Sequence, residues 1–137
     1  MLQAVKRGAK KAFFTYFDLI KIILPVYIGV TVLKHTGFIE WLAQYTAPMM
    51  KLFGLPGESV LALLTGYLLN IYGALGVIAG IDLGVREITI LGTMLGLAHS
   101  LLIEAAVIKK ISGQLIPLIG LRIGLSILAG LGLNLIL

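Results

Sequence analysis

The sequence predicts an all-α membrane protein: a polytopic helix bundle of about four transmembrane helices plus one interfacial or re-entrant helix. Three observations predict it. Hydrophobic residues make up 59% of the chain and charged residues only 12%, against about 25% charged in an ordinary soluble domain. Four apolar stretches each reach the roughly 20 residues needed to cross bilayer hydrocarbon. Those stretches hold many of the 17 glycines, which weaken a lone helix but let helices approach closely in lipid. A chain of 137 residues is one domain. No repeat, low-complexity linker or second domain divides it, so residues 1–137 read as a single membrane module.

Residues 1–13 predict a basic amphipathic helix on the membrane surface. Leu2, Val5, Ala9 and Phe13 share one face, and Lys6, Arg7, Lys10 and Lys11 fill the other. A basic head before an apolar run also describes a signal peptide. Here the run contains Asp18 and Lys21 and lacks a small-residue cleavage site, so it reads as a retained first span. That span covers about Phe14 to Leu33, with a kink expected at Pro25. Lys21 lies near its start, where its stem can snorkel to the interface.

Phe38 to Phe53 mixes Glu40, Trp41, Gln44, Tyr45, Pro48 and Lys51 with apolar residues. It is too polar to span and carries the aromatic residues that favour membrane interfaces, so it predicts an interfacial or partly re-entrant helix. Gly54-Leu55-Pro56-Gly57-Glu58 then predicts a turn leading into a helix start. The second span is about Ser59 to Ile81, with glycines that permit a break. The third is about Glu87 to Val107, and Lys109 to Gln114 form the next turn. The fourth is about Leu115 to Leu137.

The third span carries the chemistry that stands out. Gly92, Gly96, Ser100 and Glu104 recur every four residues, one stripe on an α-helix. Small residues at this spacing are as readily a packing seam as a ligand-binding face. Glu104 tilts the balance toward a polar cavity, because an unpaired carboxylate is costly in hydrocarbon. His99 is either a bundle hydrogen bond to a carbonyl or a ligand-binding, proton-sensitive group. On the second span Glu58, Thr65 and Tyr72 recur at sevens, with Asn70 near mid-span, where its amide needs partners. Arg122 is the other charge within a span: it pairs with Glu104 or Glu58, or snorkels to the near interface.

Several functions are excluded. There are no cysteines, hence no disulfide, thiolate metal site or cysteine nucleophile. Two histidines, His35 and His99, without ligand spacing predict no metal site. GxxxxGK[ST], GxGxxG and GxSxG are all missing, so neither an enzyme nor an ATP-driven pump is expected, and no cofactor. The net charge is +5, but no aromatic platform or nucleic-acid motif accompanies it. A basic flank kept cytoplasmic by the positive-inside rule accounts for it.

The GLPGE turn (Gly54 to Glu58), LLTGYLLNIYGALG (Leu63 to Gly76) and AHSLLIEAAV (Ala98 to Val107) together resemble the nucleoside-recognition, or Gate, family. That family includes spore maturation proteins A and B, and related segments occur in concentrative nucleoside transporters and in ferrous iron transport protein B. The resemblance covers about Ile20 to Lys110. Carried over residue by residue, it implies a substrate-binding set of Pro56, Gly57, Glu58, Asn70, His99, Ser100 and Glu104. The iron transporter's GTPase domain is missing here, and transporters of this kind hold more than one such module.

The resulting expectation is a multi-pass protein of a prokaryotic inner or plasma membrane. It acts as half of a transporter for a small solute, nucleoside-like or an ion. It pairs as a homodimer or as a heteromer with a sibling Gate protein. A structural or regulatory membrane protein and an ion channel are the alternatives. With four spans, Lys6, Arg7, Lys10, Lys11 and Arg86 fall on one side, and Lys34, Lys51, Lys109 and Lys110 on the other. That near-even split leaves inverted subunits open, with Gln44 and Ser112 expected on the same side.

Overall fold

The computed structural model describes residues 2–110 and 114–137. The described residues are helical throughout apart from short connections, as an all-α membrane bundle requires. α1 (Leu2–His35) is a single helix of 34 residues, about 51 Å at 1.5 Å per residue. The amphipathic segment and the first span are therefore one continuous rod, and the helix passes through Pro25 without a break. The rod is longer than the ~30 Å hydrocarbon core. Aromatic residues mark where it enters and leaves. Phe13, Phe14, Tyr16 and Phe17 cluster near one end; Phe38, Trp41 and Tyr45 stack just beyond the other. About 20 residues separate the two girdles, which matches the hydrocarbon thickness.

A left-handed Gly37 (φ 76°) turns the chain into α2 (Phe38–Lys51). Ile39 and Met50 are buried against the bundle while Trp41 and Tyr45 stay exposed, as an interfacial helix would place them. The Gly54 to Glu58 turn follows, with Gly54 at φ 66°.

The expected second span does not cross. α3 (Ser59–Leu64) runs into a π-helical turn at Thr65–Leu69, Asn70 is fully extended, and α4 (Ile71–Gly80) follows. A Cβ on Gly66 would lie 3.1 Å from the Ala74 Cβ, and one on Gly73 would lie 2.9 Å from Thr65 Cγ2. Residues eight apart on one helix would be about 12 Å apart. The chain therefore doubles back at Asn70 into a re-entrant hairpin. The returning limb is tied to the first helix: Lys34 at the end of α1 donates to Asp82 just after α4, 2.7 Å away. The eleven residues Ser59–Leu69 reach about 16 Å, half the hydrocarbon, so the tip sits at mid-membrane. Glu58, Thr65 and Tyr72 do not share a face: the first lies at the base of the hairpin, and the others lie on opposite sides of its tip.

The third span is present but broken. α5 (Val85–Leu97) and α6 (Leu101–Lys110) are separated at Ala98–Ser100, where Ser100 is left-handed at φ 56°. The four-residue stripe is split accordingly. A Cβ on Gly92 or Gly96 would meet nothing within 4 Å, and both face outward. α7 (Leu115–Ile136) packs antiparallel along α5 and α6. Successive contacts show the register: Arg86 to Asn134, Met94 to Ser126, Glu104 to Arg122.

Three helical segments among the described residues are long and apolar enough to cross: α1, α5 with α6, and α7. Termini on opposite faces follow, and so does a new charge distribution. One face carries Lys6, Arg7, Lys10, Lys11, Lys109 and Lys110 with no acid. The other carries Lys34, Lys51 and Arg86 with Glu40, Glu58, Asp82 and Glu87. Asp18–Lys21 and Glu104–Arg122 pair within the spans. Six cations face three, not five against four. Lys110 lies opposite Gln44, whereas Ser112, with the rest of that turn to Gly113, falls outside the described residues.

Candidate functional site at the helix breaks

The two discontinuities meet. The Ser100 amide donates to the Gly66 carbonyl in the hairpin tip at 2.9 Å. Gly66 permits this approach, since any Cβ there would collide with the Leu95 side chain. Unwound backbone inside a membrane is tolerated only where it is buried in protein or lines a wet cavity. Here each break satisfies part of the other. A left-handed serine costs on the order of 1 kcal/mol, and the cross-break hydrogen bond offsets it.

Asn70 caps α4: its side-chain oxygen accepts from the Gly73 amide at 2.8 Å. This leaves the amide nitrogen as its donor at the tip. His99 Nδ1 lies 3.0 Å from the Leu95 carbonyl. A carbonyl only accepts, so Nδ1 carries the proton and Nε2 is left as the acceptor of the neutral ring. Arg122 reaches across from α7. Its Nε donates to the Leu97 carbonyl at 2.8 Å and its Nη1 pairs with Glu104. One guanidinium thus bridges the last residue of α5 and the first turns of α6. Tyr67 bonds the buried Ser126 hydroxyl, which donates to the Met94 carbonyl at 2.8 Å. This relay ties the hairpin to α7 and α5.

Of the sequence-predicted set, the structure brings Asn70, His99, Ser100 and Glu104 to the breaks. It places Pro56, Gly57 and Glu58 at the other end of the hairpin. There the Gly57 carbonyl accepts from Thr46 at 2.8 Å, which docks α2 on the hairpin base. Burial holds the Glu58 carboxyl above its ordinary range, opposed by Lys34 nearby. The Asp82 carboxyl is held below its usual range by the hydrogen bond from Lys34. Tyr67 and Ser126 join the site only through the structure. A tyrosine and a serine in separate apolar runs signal polar atoms needing partners, but not each other. Of the two partners open to Arg122, the structure selects Glu104.

The family model for nucleoside recognition, Gate, matches residues 16–124. The chain belongs to the Gate family. It is 39% identical over 129 residues to the membrane protein YvoD of Bacillus subtilis, covering 94% of this chain and 41% of that one. It is 33% identical over 75 residues to the inner membrane protein YjiG of Escherichia coli K12, covering 54% of this chain and 48% of that one. The matched part thus spans less than half the length of either relative. No solved structure matches the chain. Family and relatives agree with the multi-pass helices in making this a membrane protein of the Gate class.

Proposed function

We propose that this Gate module is half of a transporter for a small polar solute, nucleoside-like or an ion. The observation that carries the proposal is the meeting of two broken helices at mid-membrane depth. Transporters place their sites there, where unwound backbone and half-helix ends face the substrate. Asn70, His99, Ser100 and Glu104 are the binding residues in this reading, with Arg122 added. Together they offer an amide donor, an imidazole acceptor and a paired charge. That set suits a ligand with both donors and acceptors, such as a nucleoside. Pro56, Gly57 and Glu58 serve the hairpin base instead.

The hairpin fills one half of the bundle, so a second module is needed to enclose the site. YvoD, of which the matched 129 residues are 41%, has length enough for two. Six cations against three favour one fixed orientation. An inverted mate is then a sibling chain or segment, and not an inverted copy of this one. Uptake into proteoliposomes tests the reading. The expected result is saturable, solute-dependent exchange of a nucleoside, lost in His99→Ala and Glu104→Gln protein that still inserts. Absence of exchange for nucleosides and monovalent ions, alone and with a sibling module, would favour a structural role; a continuous conductance would favour a channel.

A further inference from the structure

We propose that the polar break faces the cytoplasm: it is entered through the basic half of the bundle and closed from the outside by a plug pinned by Arg86. The closure rests on the reading of the break as a solute site only for its purpose; its geometry stands by itself. Orientation comes from charge. Lysine and arginine near span ends set topology, and the acid-free face with six of them is the cytoplasmic one.

The core then shows which way is shut. Met50, Phe53, Leu55, Val60, Leu63, Val77, Ile81 and Ile90 are all buried, and all lie in the outer half, on α2, the Gly54 turn, the hairpin and the first turns of α5. Below the hairpin tip only α1, α6 and α7 continue. On the outer side of the tip α1 packs on α4 and α2, whereas α6 packs on the tip and α7. An open groove of about 350 Å³ lies in this inner half between α6 and α7, lined by Ile103, Glu104, Val107, Ile108, Leu118 and Arg122. The side chains of Glu104 and Arg122 are 34% and 21% exposed. An ion pair with that much open surface is suited to water or to a second module beside it, because lipid would penalise both groups.

The outer plug is held by one guanidinium. Arg86 donates to the Gly54 carbonyl at 3.1 Å and to Asn134 Oδ1 at 2.6 Å, and Asn134 Nδ2 donates to the Leu52 carbonyl at 3.0 Å. These bonds join the start of α5, the end of α7 and the loop before the hairpin. Hydrogen bonds from a charged donor are the stronger kind. Three elements that would have to part for outward opening are thereby tied at one point.

The chain has no cysteine, so single cysteines report cleanly. Thr65→Cys places a thiol at the hairpin tip. A charged, impermeant maleimide is applied to right-side-out and to inside-out vesicles, with Lys10→Cys as the cytoplasmic marker. Thr65→Cys is expected to label from the cytoplasmic face alone. Adding Arg86→Ala is expected to raise outside labelling at least about tenfold, since it removes the charge-assisted hydrogen bonds to both Gly54 and Asn134, and to leave cytoplasmic labelling unchanged. Arg86→Lys, which keeps the charge but not the fork, should give an intermediate rate and serves if the alanine protein fails to insert. Outside labelling with Arg86 intact, labelling from neither face, or indifference to both Arg86 variants would overturn the proposal. Failure to transport nucleosides would leave this labelling pattern in place, so the two readings fail separately.

Discussion

Arg122 and Glu104 permit a quantitative test. A buried ion pair is costly to halve and cheap to remove whole: loss of one partner strands a charge, at roughly 3–5 kcal/mol when fully buried. Fully exposed pairs are worth about 0–1 kcal/mol. With side chains 21% and 34% exposed, this pair falls between, so Arg122→Leu should destabilise by about 2 kcal/mol. Glu104→Leu should cost less, because Arg122 keeps the Leu97 carbonyl, 2.8 Å from its Nε. The double variant should recover most of the loss, giving a coupling of about 1–2 kcal/mol. Equilibrium unfolding in mixed micelles measures all four proteins. Additivity within about 0.3 kcal/mol would refute the pairing and with it the bridge across the break.

Gly66→Val should destabilise by about 1–3 kcal/mol, as overpacking does, since its side chain would enter the space of Leu95 and Ala74; thermal unfolding checks it. Asn70→Ala removes the cap on Gly73 and should cost about 1 kcal/mol, with exchange at the α4 amides rising most in hydrogen-exchange measurements. Glu58 has a raised folded pKa, so its favourable contribution holds below the ordinary carboxylate value and is lost as pH rises through the raised one. Glu58→Gln should therefore flatten that part of the stability–pH profile without abolishing uptake, as a residue of the hairpin base and not of the break. Asp82, with its lowered pKa, works in the opposite sense: Asp82→Asn should remove a contribution present above the ordinary value and lost as pH falls through the lowered one.

Hydropathy reads total apolar length, and that explains what the sequence made legible. The helical membrane class, α2 at the interface and α7 were all visible. The hairpin was not, because halves of eleven and ten residues add to the length of one span. The sign of the turn-back was present in Asn70, an N-cap residue three before Gly73, but a cap inside an apolar run also fits a kinked span. Everything after Asn70 changed face as a result, which moved Lys109 and Lys110 beside the basic N-terminus. His99, Ser100 and Glu104 stood out because polar groups in apolar helices need partners. Ser100 and Glu104 find theirs, the Gly66 carbonyl and Arg122, on other elements, and no local spacing names a neighbour across a bundle; His99 bonds the Leu95 carbonyl one turn back, the carbonyl reading open from the sequence. The family resemblance joined Pro56, Gly57 and Glu58 to the same set, although about half a membrane separates them from the breaks.

The return of the chain at Asn70 underlies the mid-membrane site, the orientation and the closed outer face alike. Reporters at the two ends test it most directly. A fluorescent protein that matures only in the cytoplasm and a phosphatase active only outside are fused in turn before Met1 and after Leu137. Three crossings predict fluorescence at the N-terminal fusion and phosphatase activity at the C-terminal one. Fluorescence at both ends would mean an even number of crossings, with Ser59–Gly80 passing straight through, and would contradict the account.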